Sequence, residues 1–595
     1  MSVLDAFPGS HLPEGVIRPA VPRTTVAATF PDGRVFEAPV GVSVGDLVRA
    51  AHASPSGGGR QQPLSATGVP IVAAHVDGRL REFQTPLLKD ASLVPVAVDD
   101  TDGARIYRRS LSFLLVTAAA EVFPGVDVFV EHAAPAVGGY FCEVRGREPF
   151  SQEELWRIEA RMRAIVDEDA PLVKTEVAVG AAMDLFRSRG ELDKARLLAH
   201  RSKTTLHLYE LRGRRDYFQG YMVESAGCLR QFALHAFPPG FMLQFPHQGR
   251  PNELAPLTPY PMLFAVFEEA GHWLDRLGIR NAGALNDAVA AGRLPEVSLV
   301  GEALHEARIA TIAQDIARQR NRIKIVLVAG PSSSGKTTFS KRLAVQLLAN
   351  GLHPFALAMD DYFVDRDLTP RDASGEYDFE CLGALDIALF NEHLLSLMAC
   401  RPTTLPRYVF PEGRRERGPA ISLEQDNVII VEGIHGLNPA LVPQLPADRI
   451  YRVYVSALTQ LNLDRHNRVS TTDCRLVRRI VRDAATRGYD AWQSIRRWES
   501  VTRGEKQYIF PFQENGDAVF NSSLVHELAV LRPLAEPLLL QVRHDTPEYR
   551  EANRLLSFLQ WFRPASPEPV PDNSILREFI GGSMLENFRL WRGGE

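Results

Sequence analysis

Cysteine is scarce and follows no pattern. The 595 residues contain five, an odd number, and no two stand in a C-x-x-C pair. This excludes a disulfide framework and a zinc knuckle and points to a reducing compartment. Excess positive charge is also absent: 67 Lys and Arg face 72 Asp and Glu, a formal net charge of -5. A generally nucleic-acid-binding surface is not expected, although a local basic patch remains open. The most apolar window, 111–130, is broken by Glu121, Pro124 and Asp127 and is no membrane span. Residues 1–23 lack the basic-then-apolar pattern of a secretory signal. The expected location is the cytoplasm, with no membrane partner. No fixed-period repeat runs along the chain.

What is present is an ordinary globular composition, 45% hydrophobic and 23% charged, over a length that suggests about four domains. The most informative stretch runs Gly330-Pro331-Ser332-Ser333-Ser334-Gly335-Lys336-Thr337-Thr338. It fits G-x-x-x-x-G-K-[ST], a loop whose backbone N–H groups wrap nucleotide phosphates. Ile325 to Ala329 before it reads as a buried strand. Thr338 to Ala349 after it reads as a helix, with Phe339, Leu343, Leu347 and Leu348 apolar and Gly351 at its end.

Two acidic strand ends follow. Pro354 to Met359 runs into Asp360-Asp361-Tyr362, and an acid beyond a parallel strand's carboxyl end faces the ligand. Such a carboxylate takes the proton of an attacking hydroxyl; a helix N-cap accounts for one of the pair equally well. Asn427 to Val431 ends at Glu432-Gly433, the form of a strand whose terminal acid holds Mg²⁺, with Thr337 supplying a hydroxyl to the same ion. Lys336 is the phosphate-reaching cation. On a helix over 475–485, Arg475, Arg478, Arg479 and Arg482 share one face, opposite Leu476, Val477, Ile480, Val481 and Ala484. A solvated face and a phosphate-closing lid hinged near Arg487 both fit this pattern.

Gly330 to Thr338, Asp360-Asp-Tyr-Phe363, Tyr377-Asp-Phe-Glu380, Leu405-Pro-Arg-Tyr408, Val431-Glu-Gly433 and Arg475 to Gly488 together resemble the uridine–cytidine kinase and phosphoribulokinase family. The matches keep family order over some 200 residues. The resemblance implies a P-loop α/β kinase using ATP and Mg²⁺, with Asp360 as catalytic base. It implies that Glu380, Tyr408 and Arg479 contact the acceptor and that Arg482 and Arg487 meet phosphate. Three positions depart from it: a base-reading histidine falls at Gly413, a substrate arginine at Tyr489 and a glutamine at Arg497. Lost base contacts weaken discrimination, so the reaction class is expected and pyrimidine specificity is open.

The front half carries a second resemblance. Phe30-Pro-Asp-Gly33, a hairpin signal, Gly45-Asp-Leu47 after the cap Ser43, and Val76-Asp-Gly78 look like the TGS module of threonyl-tRNA synthetase. Residues 105–245, with a capping box at Ser151-Gln-Glu-Glu154 and an amphipathic helix to Val166, resemble the editing domain that follows it there. That domain's four metal ligands fall at Arg109, Phe113, Phe218 and Met222, none a competent zinc ligand in that role. The resemblance implies the scaffold without the metal or the hydrolysis.

The expected fold is multidomain α/β. It comprises an extension (1–23), a β-grasp-like TGS module (24–100), an α+β editing-like domain without metal ligands (101–245) and a helical connector (246–320). A P-loop kinase domain with a parallel sheet flanked by helices (321–545) and a tail (546–595) follow; the tail carries the Pro-rich stretch 564–571 and a short helix near 574–579. The expected activity is phosphorylation of a small-molecule hydroxyl, foremost a nucleoside 5′-hydroxyl. The alternatives are a sugar-phosphate kinase and an RNA- or ribosome-associated regulator docking through the front half. The oligomeric state is not legible.

Overall fold

The computed structural model describes residues 23–52, 62–134, 138–372, 375–458 and 461–588. The N-terminal extension to residue 22, the triple glycine 57–59 and the last residues of the tail lie outside them. The chain divides into two compact units. One holds residues up to Tyr107 with Tyr221–Glu224, and the other holds the rest.

In the first unit, strands β1 (Thr25–Thr29) and β2 (Val35–Pro39) form the hairpin around Pro31-Asp32-Gly33. Gly33 adopts φ 83°, the left-handed region that glycine enters without strain. Helix α1 (Val44–Ala51) starts where Ser43 accepts a hydrogen bond from the Asp46 N–H, and it buries Leu47 and Val48. Strands β3 (Ile71–Val76), β4 (Arg79–Glu82) and β5 (Ala91–Ala97) complete a sheet ordered β2-β1-β5-β3-β4, with β1 and β5 parallel. This is the β-grasp arrangement. Glu82 and Met222 belong to this unit, the Met222 N–H donating to Glu82 Oε1 at 3.2 Å.

The boundary between the units falls inside helix α2 (Thr101–Val122). In the second unit, β6 (Asp127–Ala134) and β7 (Gly139–Arg145) pair antiparallel, and helix α3 (Gln152–Asp167) opens on the Ser151/Glu154 capping box. Leu155, Ile158, Met162 and Ile165 form the buried face of α3. Strand β8 (Val173–Ala178), helices α4 (Val179–Ser188) and α5 (Leu192–Ala199), and strands β9 (Thr205–Leu211) and β10 (Arg214–Asp216) make a small three-stranded layer. Strands β11 (Ala233–Phe237) and β12 (Gly240–Gln244) join β7 and β6 in a four-stranded antiparallel sheet.

Helices α6 (Pro261–Leu277), α7 (Ala282–Ala290) and α8 (Leu294–Arg318) lead to a parallel sheet. They do more than link: Glu302 and Glu306 on α8 bind the buried Arg342 at 2.8 and 2.7 Å. The next elements are β13 (Ile325–Ala329), α9 (Lys336–Ala349), which bears Arg342, and β14 (His353–Ala358). Helix α10 (Ile387–Met398), the β15 (Thr403–Val409)/β16 (Arg414–Ile421) hairpin, β17 (Asn427–Glu432) and β18 (Ile450–Ser456) follow. Helices α11 (Thr471–Thr486) and α12 (Ala491–Tyr508) precede the edge strand β19 (Ala518–Asn521). Helices α13 (Glu527–Leu540), α14 (Tyr549–Leu559) and the short α15 (Arg577–Ile580) close the chain.

The sheet order is β14-β17-β13-β18-β19, all parallel. Both faces are covered, which is why its strands read as unbroken apolar runs rather than alternating ones. Ile325, Leu327, Ile429 and Val431 face one core with Phe390 and Leu394 of α10. Val326, Val328, Ile430 and Val453 face the other with Phe339, Leu343, Leu476 and Ile480. This packing aligns the carboxyl ends of β13, β14 and β17 on one edge, where a doubly covered parallel sheet binds its ligands.

Candidate active site

The loop leaving β13 is shaped by two left-handed residues, Ser333 at φ 58° and Gly335 at φ 83°. That conformation turns successive N–H groups inward and makes an anion-binding concavity ahead of the α9 N-terminus. Gly330 tolerates no side chain, because a Cβ there would strike the Val455 carbonyl oxygen. Lys336 Nζ donates to the Pro331 carbonyl at 3.0 Å. The hydroxyls of Ser333 and Ser334 are buried and, among the described residues, unpartnered.

Thr337 Oγ1 donates to Glu432 Oε1 at 2.8 Å. Register explains the meeting: Glu432 pairs with Val328 on one side and with Ala358 on the other, so it stands level with the start of the loop. Asp360 follows β14 in a short 3₁₀ turn, Met359–Tyr362. It is open to solvent yet hemmed in by protein, and that desolvation raises its pKa, with Asp361 adding to the rise and Lys336 and Arg487 opposing it. Glu432 is likewise raised by burial, against Lys336 and the Thr337 hydroxyl. Burial lowers Lys336, whose charge Glu432, Glu578 and Glu505 support. Asp361 plays a structural part, since its Oδ1 accepts from the Tyr408 N–H at 3.1 Å and holds the β15/β16 hairpin.

On the facing side, Glu380 stands where α12 comes close, at Gly504; a Cβ on that glycine would lie 2.8 Å from Glu380 Cβ. Burial, reinforced by Glu505, pushes the Glu380 pKa up to about 7. Tyr408 packs between Phe363 and Phe410, with ring centroids 5.7 and 5.1 Å away. Its hydroxyl is buried and lacks a hydrogen-bond partner among the described residues.

The basic stripe forms on α11 as expected, but much of it points into the protein. Arg475 binds Glu505 at 2.5 and 2.8 Å and donates to the Ser332 carbonyl at 3.2 Å. Arg478 is wholly buried among Glu527, Ser522 and the Ser333 carbonyl. These two arginines brace the loop from behind, so they are neither a solvated face nor a lid. Arg479 reaches Ser332 Oγ at 3.0 Å. Arg479, Arg482 and Arg487 share a single buried carboxylate, Asp483, at 3.2, 3.0 and 3.6 Å. That leaves a local cationic surplus beside Lys336, which Arg482 destabilises further.

Residues 325–529 match the Phosphoribulokinase / Uridine kinase family. This stretch is a P-loop small-molecule kinase domain. Among solved structures, a possible uridine kinase from Bacillus stearothermophilus is similar at 18% identity and a TM-score of 0.26, covering 36% of this chain and 97% of that one. D-glycerate 3-kinase from Cryptococcus neoformans is similar at 16% identity and a TM-score of 0.27, covering 35% and 89%. Among curated relatives, threonine–tRNA ligase of Hyphomonas neptunium is 30% identical over 174 residues, 29% of this chain and 24% of that protein. The Burkholderia ambifaria enzyme is 33% identical over 161 residues, 27% of this chain and 25% of its own length. The chain thus spans about a quarter of the ligases it matches, in their TGS and editing region.

The kinase domain contains site residues that no local motif announces. Glu505 of α12 accepts the Ser332 N–H at 2.9 Å. Its nearest sequence signal is Gly504, whose missing side chain lets α12 approach. Buried His435 packs on Tyr508 and is lowered to about 4, a neutral imidazole at physiological pH. The three departures from the nucleoside-kinase pattern also have local causes. Gly413, at φ 68°, leaves room for Arg366, whose guanidinium a Cβ would meet at 2.7 Å. Arg497 lies over the Tyr489 ring, 4.4 Å from its centroid, so these two substituted positions pair with each other.

The segment between β18 and α11 also packs against residues of the region before the parallel sheet. Phe113 and Phe218 pack at 5.2 Å, and His466, from the segment between β18 and α11, stacks on Phe218 at 6.1 Å and 14°. Arg109 occupies the space left by Gly220. Lys194, Asp216 and His466 form a buried cluster, with His466 Nδ1 2.7 Å from Lys194 Nζ and 2.9 Å from Asp216 Oδ2. Burial works to raise Asp216, but Lys194 and His466 outweigh it and hold the group well below the carboxylate range. No cluster of three or more metal-ligating side chains occurs among the described residues, nor is any of their helices long and apolar enough to cross a membrane.

Proposed function

We propose that this protein transfers the γ-phosphoryl group of ATP, with Mg²⁺, to a hydroxyl of a small molecule, foremost the 5′-hydroxyl of a nucleoside. The observation that carries the reading is the convergence at one sheet edge of the Gly330–Thr338 loop, the Thr337–Glu432 pair and Asp360, with Lys336 coupled electrostatically to both acids. The loop amides and Lys336 bind the donor phosphates. Arg482 and Arg487 add charge where the transferring group becomes most anionic.

Thr337 and Glu432 would hold the Mg²⁺. Their hard oxygen donors fit that ion, which keeps several waters and phosphate oxygens and needs no cage of protein ligands. When bound, the ion neutralises charge building on the phosphates. Asp360 accepts the proton of the attacking hydroxyl, and its raised pKa makes it a stronger base than an ordinary aspartate. Glu380 and Tyr408 position the acceptor, together with Arg479.

A second reading, a phosphorylated sugar as acceptor, rests on Arg366, whose guanidinium covers Gly413. Product analysis with ATP, Mg²⁺ and a panel of nucleosides and sugar phosphates tests both. A phosphorylated nucleoside is expected, a bisphosphorylated sugar alone would favour the second reading, and no product from any hydroxyl acceptor would end both.

A further inference from the structure

The C-terminal segment lies across the phosphate loop. Ile575, Leu576 and Phe579 are wholly buried, and the Arg478 guanidinium lies 5.0 Å from the centroid of the Phe579 ring. Ile575 presses on Gly335, where a Cβ would come within 2.5 Å of its Cγ2. Lys341 of α9 donates to the carbonyls of Leu585 and Glu586 at 2.6 and 3.1 Å. Arg577 is turned away and donates to the carbonyls of Pro567, Val570, Pro571 and Gly581.

Glu578 is turned toward the loop. Its Oε2 accepts from the Thr338 N–H at 3.2 Å and from Thr338 Oγ1 at 2.8 Å. Thr338 is the last residue of the phosphate motif and lies in the first turn of α9, where an unpaired N–H and the helix dipole attract an anion. A carboxylate in this position satisfies the donors that a nucleotide phosphate would otherwise use. Its charge reaches further into the site, since Glu578 acts on Lys336, Glu432 and Arg487.

We propose that Glu578 is a built-in competitor for the donor nucleotide: its carboxylate occupies a phosphate seat at Thr338, and the nucleotide binds by displacing it. This rests on the reading of Gly330–Thr338 as the donor site. Glu578 thereby becomes a determinant of donor affinity. Only the fraction of molecules with the seat vacant binds, so the apparent dissociation constant exceeds the intrinsic one by the inverse of that fraction.

The test measures dissociation constants of ADP and a non-hydrolysable ATP analogue on the full chain. Wild type is compared with Glu578→Ala and with Glu578→Asp, which keeps the charge on an arm one methylene shorter. Both variants are expected to bind about tenfold more tightly, the equivalent of about 1.4 kcal/mol. Hydrogen exchange across 574–588 is expected to rise when nucleotide is added to wild type. Equal or weaker binding by Glu578→Ala would overturn the proposal. So would tightening by Ala but not by Asp, which would mean charge repulsion without occupancy, or protection of 574–588 by nucleotide. Nucleotide binding with equal constants in all three chains defeats this proposal alone, whereas no binding by any of them defeats the donor-site reading and this proposal with it.

Discussion

Replacing Glu380 by Gln isolates the electrostatics of one buried carboxyl facing Glu505. Burial and Glu505 move this carboxyl's midpoint from 4.5 to about 7 in the folded protein. The unfolded chain releases the proton near the ordinary value, so between the two midpoints the folded state binds more protons and its stability falls as pH rises. Below 4.5 both states are protonated and no penalty exists; above 7 the penalty is complete. At 1.36 kcal/mol per pH unit the full penalty is about 3 kcal/mol, and partial solvation of the side chain reduces it to about 1–3 kcal/mol. Glutamine keeps the shape and never ionises. Denaturant unfolding of wild type and Glu380→Gln at pH 4, 6 and 8 should show a stability difference that moves in favour of the variant by about 1–3 kcal/mol from pH 4 to pH 8. A difference independent of pH would refute the reasoning, because it would mean that Glu380 titrates alike in both states.

Other substitutions test the frame around the loop. Glu505→Gln leaves the buried Arg475 without its charged partner and weakens the acceptor of the Ser332 N–H. Unfolding should be easier by about 2–4 kcal/mol, and the double variant with Arg475→Met should recover part of the loss; strict additivity in the cycle would contradict the pairing. Gly413→Ser forces a Cβ onto Arg366 at a left-handed backbone position, and a loss of about 1–2 kcal/mol is expected in the same assay. A serine variant as stable as wild type would mean that Arg366 moves aside freely.

Much of the architecture was legible because it is set locally. The β-branched run 325–329, the glycines of the loop and the caps Ser43 and Ser151 each specify their element within a few residues. The acids at strand ends were legible for a different reason. A parallel sheet aligns carboxyl ends, so Glu432 falls opposite Val328 although a hundred residues separate them.

What was not legible depends on long-range partners. The face of Arg475 and Arg478 follows from helical period, but period does not say that Glu505 and Glu527 wait on that face. Phe113 and Phe218 stood out in the sequence as the positions where the resemblance to the editing domain implies metal ligands. The arrival of His466 beside Lys194 and Asp216 was not, because it comes from some 250 residues away. Glu578 lies about 240 residues beyond Thr338, in a short helix with no motif of its own.

The central claim is that Asp360 removes the proton of an acceptor hydroxyl while the loop holds the donor. The most direct measurement is phosphoryl transfer from ATP to a nucleoside by Asp360→Asn, alongside the affinity of the same variant for a non-hydrolysable ATP analogue. Transfer is expected to fall about 10²–10⁴-fold, the usual worth of a positioned base, with nucleotide affinity kept within a few-fold. Undiminished turnover by Asp360→Asn would contradict the account.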